Sequence, residues 1–148
     1  MAWKTYKKDC LVPLRAEENI PIIKVCEYDQ NGRLLSPVYP KPYHFNKKYH
    51  SEIDNPEETI FEDETIGYID KGLHSFNKNK VNLDESYFNG DFIVVKYTAG
   101  NDTAYIVETH KFHIPVFVEG YIPVGSTYYE NEYGDIVSNA IVLTHEIH

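Results

Sequence analysis

Residues 20–28 read IPIIKVCEY and run directly into Asp29-Gln30-Asn31-Gly32-Arg33. The first segment is rich in branched residues, which suit a pleated strand. Asn-Gly accepts positive φ at little cost and is a strong signal for a hairpin. Residues 34–39 (LLSPVY) supply the returning strand, and Pro37, which cannot donate to a ladder, places it at an edge. The last third repeats this logic. Residues 91–97 (DFIVVKY) are a strand, residues 99–102 (AGND) a turn, and residues 103–109 (TAYIVET) the partner strand. Residues 117–123 follow as another strand, then a turn at Val124-Gly125-Ser126, a short strand at residues 127–129, and a turn at residues 131–135 (NEYGD). Residues 136–144 (IVSNAIVLT) close the chain.

The middle of the chain is less regular. Residues 40–50 hold two prolines among aromatics, histidines and lysines, and read as ordered but irregular. Residues 51–65 carry Glu52, Asp54, Glu57, Glu58, Glu62, Asp63 and Glu64, and are expected to form a solvated acidic loop. Residues 67–76 are apolar and aromatic with glycine punctuation. Residues 81–89 can hold one short helix, although no 3.6-residue stripe is visible. The expected fold is one α+β domain over residues 1–148, mainly antiparallel β. Its expected architecture is a twisted sheet or small barrel with one or two short helices.

Composition narrows the function classes. A chain of 148 residues can bury a core without a metal or disulfide staple. The net charge of −9 leaves no basic face for phosphate neutralisation, so nucleic acid is not an expected partner. No run approaches the roughly 18 apolar residues of a membrane span, and the N-terminal residues lack the apolar stretch of a signal peptide. A cytoplasmic protein is therefore expected. Cys10 and Cys26 form no CxxC unit and lack the context of a cysteine nucleophile; two reduced thiols are expected, with one disulfide as the alternative.

Signals for chemistry are sparse. The acidic stretch lacks the D-x-[DN]-x-[DN]-G frame of a calcium loop. His110 and His113, and likewise His145 and His148, are three apart in β-rich or terminal sequence, where odd spacing sends the rings to opposite faces. No metal and no cofactor is expected. His74 and Ser75 form a polar pair inside GLHSF and are the candidates for acid/base or ligand-binding work. No G-x-S-x-G elbow and no phosphate-cradling glycine loop occurs. Val124-Gly125-Ser126-Thr127 has the composition to offer amides and hydroxyls to an anion, and equally that of a plain turn. Seven of the 13 tyrosines fall in two clusters, Tyr39, Tyr43 and Tyr49, and Tyr121, Tyr128, Tyr129 and Tyr133. Such clusters complete a β-core, or line a pocket or interface.

GLHSF at residues 72–76, with IPVGSTYY at 122–129 and YGDIVS at 133–138, resembles small proteins of Bacteroidales bacteria and their phages. That resemblance implies no activity. The same segments are more weakly similar to the C-terminal half of the ADP-ribosyltransferase fold, in which Glu119 would be the candidate acidic residue. The leading expectation is a non-catalytic binding module for a small polar ligand or a protein partner, with Tyr43, His74, Ser75, Tyr128 and Tyr129 as candidate contacts. One alternative is a nucleotide-handling enzyme built on His74, Ser75 and Glu119. Another is a small phage structural or assembly protein. Homo-oligomerisation through exposed tyrosines would fit any of these.

Overall fold

The computed structural model describes residues 5–36, 41–89, 92–99, 102–104, 107–108 and 113–147. Every strand pairing among them is antiparallel, and they fall into three sheets. The largest sheet contains β2 (Leu14–Arg15), β3 (Ile20–Tyr28), β4 (Leu34–Leu35), β5 (Lys48–His50), β8 (Leu73–Asn77), β13 (Ile114–Ile122), β14 (Thr127–Glu130), β15 (Asp135–Ser138) and β16 (Ala140–Glu146). Its order is β2-β14-β15-β8-β3-β13-β16-β5, with β4 on the free stretch of the β3 edge beyond β8. A second sheet is formed by β9 (Val81–Asn89), β10 (Phe92–Ala99), β11 (Asp102–Ala104) and β12 (Val107–Glu108). The third is β1 (Thr5–Lys7), β7 (Glu64–Tyr68) and β6 (Glu57–Phe61).

β3 and β13 are the spine. They pair along their whole lengths, from Ile20↔Ile122 to Tyr28↔Ile114. Both faces of β3 are buried from Ile22 to Glu27, as its nearly continuous apolar sequence requires. Alternation sends Ile22, Lys24 and Cys26 to one face and Ile23, Val25 and Glu27 to the other. On the first face lies the main core. Ile22, Cys26, Leu73, Val116, Val118, Ile122, Ile136, Ile141 and Leu143 meet Ala16, Leu34, Tyr43 and Tyr49 there. These residues come from nearly every strand between the two ends of the sheet, so the sheet curls around them without closing. On the opposite face, β10 covers Val25 and Phe76 with Ile93, Val95 and Tyr97. The three-stranded sheet covers Tyr129 and Val137 with Tyr6.

Three sequence expectations are corrected here. No α-helix occurs among the described residues; the helical content is two single 3-10 turns, Lys8–Cys10 and Lys78–Lys80, and the large sheet stays open rather than forming a barrel. Residues 81–89 are a strand. Their alternation is interrupted because the register on β10 jumps between Val94 and Lys96, and Ser86 fills the gap by donating to Asn82 O and accepting from Lys96 N. Residues 51–65 are not simply a loop: β6 and β7 form a hairpin whose turn residues Glu62 and Asp63 have φ of 49° and 63°. The returning strand after Asn31-Gly32 is limited to Leu34–Leu35, and Pro37 lies outside the described residues. None of the helical turns is long and apolar enough to cross a membrane.

Lys24 is the anomaly of the main core. Its side chain is buried between Ile22 and Cys26, its ammonium donates to His74 O, and it lies 5.8 Å from the centre of the Tyr43 ring. Burial holds its pKa below the ordinary lysine value. A depressed lysine pKa means that the unfolded chain binds more protons, so stability rises with pH between the folded pKa and the unfolded value near ~10.4. Lys24→Met is expected to flatten that slope, as read by urea denaturation at a series of pH values below about 10. Above ~10 the raised pKa values of Tyr6 and Tyr97, both held up chiefly by burial, lower stability as pH rises and would mask the effect. An unchanged slope in the variant would show that Lys24 is charged in the folded protein.

Candidate functional site

The residues singled out by sequence do not share one place. His74 and Ser75 are consecutive in β8, so they face opposite sides of the sheet. Ser75 is buried, while the His74 ring sits 2.9 Å from Asp70 O. Glu119 in β13 is held by Lys78 and by His145, whose Nε2 lies 3.1 Å away. The Lys78 hydrogen bond is the main reason its carboxyl sits below the usual carboxylate range. Tyr43 is a core residue, in edge-to-face contact with Tyr49 at 4.8 Å. Tyr129 is likewise buried, 6.5 Å from Tyr6, and Tyr128 packs half-buried against the main core. Burial pushes the Cys26 thiol up to about 12, so it carries no thiolate near neutrality. Cys10 is also raised, by burial and then by Glu132.

The Val124–Thr127 turn is closed to an anion. Its four amides are already engaged: Val124 N donates to Asn19 Oδ1, Gly125 N to Ala16 O, Ser126 N to Pro123 O and Thr127 N to Asn139 Oδ1. What the turn builds instead is one wall of a cleft. The apolar run at residues 136–144 is broken at Asn139, where the chain leaves β15 and begins β16. Asn139 N donates to Thr127 O, Asn139 O accepts from Ser51 N, and Asn139 Oδ1 accepts from Thr127 N. These bonds draw together β14, the β15–β16 junction and the segment that follows β5.

Between them lies an open cleft of about 730 Å³, lined by His50, Ser51, Glu52, Ile53, Asp54, Thr127 and Asn139. A smaller recess of about 160 Å³ continues from it past His50 and Asn139 to Lys48 and Gly125. Ser51 Oγ donates to Glu52 O, and Glu52 Oε2 lies 3.1 Å from Lys71 Nζ. The His50 ring, the Thr127 hydroxyl and Asn139 Nδ2 make no hydrogen bond within the protein among the described residues. Residues of three segments, His50, Thr127 and Asn139, thus line one space beside Asp54. No group of three metal-ligating side chains comes together among the described residues.

Sequence reasoning named Thr127 and the acids, but not Asn139 or His50. The available signal was an asparagine, a poor strand former, in the middle of a branched run. Fold and cleft together define a curled antiparallel β protein with a polar cleft at one seam of its main sheet. No protein-family model matches the chain, nor does any curated protein or solved structure.

Proposed function

We propose that this protein is a non-catalytic binding module whose cleft at the Asn139 junction takes a small polar ligand. The observation that carries the reading is the convergence of His50, Thr127 and Asn139, each with a hydrogen-bonding group left over by the fold, on a volume suited to a small molecule. The lining favours a hydroxyl-bearing, neutral or cationic ligand. Glu52 and Asp54 stand at the wall, and the turn amides that would have received an anion are engaged elsewhere. The separation of Ser75 from His74 by the sheet, and the protonated thiol of Cys26, support binding rather than nucleophilic chemistry.

The test is thermal stability against a panel of neutral sugars, amino sugars, polyamines and nucleotides. A ligand present at about a hundred times its dissociation constant adds roughly 2.7 kcal/mol, which raises the melting temperature by several degrees. The expected result is a shift with a hydroxylated or cationic compound that disappears in His50→Ala and in Asp54→Asn. Both positions are exposed, so both variants should fold normally. A shift given only by nucleotides and retained in both variants would contradict the reading.

A further inference from the structure

The second surface is at the far edge of the three-stranded sheet. All five residues of β6 are exposed, and no described strand pairs with its outer edge. Phe61 and Glu64 flank the two-residue turn and therefore form a hydrogen-bonded pair. Alternation from that pair turns the N–H and C=O groups of Thr59 and Glu57 toward β7. Those of Glu58 and Ile60 point outward, unpaired, ready to receive a strand.

The side chains along that edge are ordered. Glu57 and Glu58 come first, then Thr59, then Ile60 and Phe61, which are 77% and 61% exposed on opposite faces. Charge alone would protect an edge from pairing; an apolar residue on each face beside the turn does not. With Glu62, Asp63 and Glu64, the hairpin holds four glutamates and one aspartate between residues 57 and 64 and no basic residue. A second copy would set these acids against their equals on a chain of net charge −9.

We propose that β6 is a docking edge for an extended, basic and apolar segment of a partner protein, added antiparallel as a fourth strand. Read in its own direction, the partner segment has two apolar residues opposite Phe61 and Ile60, a β-branched residue opposite Thr59, and two basic residues opposite Glu58 and Glu57. This edge is independent of the polar cleft and does not rest on it.

The probe is the peptide Lys-Val-Ile-Thr-Lys-Lys with blocked ends, titrated into the whole protein while amide hydrogen exchange is followed residue by residue. The expected result is slowed exchange at Glu58 and Ile60, with affinity that falls as salt rises. Ile60→Pro removes one outward N–H and no ladder bond, and is expected to weaken binding about tenfold while Thr59 and Phe61 stay protected. If that variant loses the hairpin, Glu58→Lys serves instead: it keeps the edge and reverses the local charge, and binding should fall by a similar factor. Binding that persists unchanged in Glu58→Lys, or no protection at Glu58 and Ile60 at millimolar peptide, would overturn the proposal. So would a concentration-dependent dimer that protects the same two amides without peptide, because it would assign the edge to a second copy.

Discussion

Asn131→Ala is expected to lower the stability of the protein by about 3 kcal/mol, measured by urea denaturation. Asn131 is 3% exposed and closes the turn between β14 and β15. Its Oδ1 accepts from the amides of Tyr133 and Asp135 at 3.0 and 2.9 Å. Its Nδ2 donates to Thr5 O in β1 and to Asp135 Oδ2, at 2.9 and 3.0 Å. One side chain thus anchors the turn, the N-terminal strand and a buried carboxylate. Removing it strands the buried amide of Asp135 and takes a donor from its buried carboxylate, each costing about 1–3 kcal/mol if unpaired. Asp135 would keep the Tyr97 hydroxyl, at a weak 3.5 Å. Asn131→Asp sharpens the test, because it keeps an acceptor for the two bonds that Oδ1 receives and loses both that Nδ2 donates, so a loss close to that of Asn131→Ala is expected. A loss below about 1 kcal/mol for Asn131→Ala would show that the backbone bonds of the turn suffice.

Gly120→Ala is expected to cost a similar amount, about 3 kcal/mol, for a different reason. A Cβ at position 120 would lie 2.2 Å from Val142 O and 2.9 Å from Leu143 Cα. Both are backbone atoms of β16, so relief requires β13 and β16 to move apart at the bulge where their register shifts between Glu119 and Gly120. The useful comparison is Gly125→Ala. There φ is +88°, but the nearest atom to a Cβ is the end of the Arg15 side chain at 3.9 Å, so only the backbone conformation is penalised, by about 1 kcal/mol. Equal losses in the two variants would contradict the close approach of β13 and β16.

The parts of the fold legible in the sequence are those whose cause is local. The branched run of β3, the Asn31-Gly32 reversal and the strands of the last third each carry their own turn or periodicity signal. What escaped had a non-local cause. The β6–β7 hairpin turns at Glu62-Asp63, without the glycine or asparagine that usually marks such a reversal, and its acids read as solvated loop. β9 loses its alternation to a bulge that exists only because of its pairing with β10. The tyrosine clusters suited a core somewhat better than a surface; burial of Tyr43 and Tyr129 depends on which strands curl over them. The cleft was least legible of all. His50, Thr127 and Asn139 meet because β5 pairs with β16 and Asn139 bonds to both Ser51 and Thr127, and no spacing along the chain encodes that meeting.

The most direct test of the cleft as the binding site is a residue-by-residue NMR map of the ligand that gives the largest thermal shift. The expected result is that amide and side-chain signals of His50, Asp54, Thr127 and Asn139 move together and saturate with one affinity. Signals that instead move around His74 and Glu119, with the cleft silent, would contradict the account and return the search to the opposite face of the main sheet.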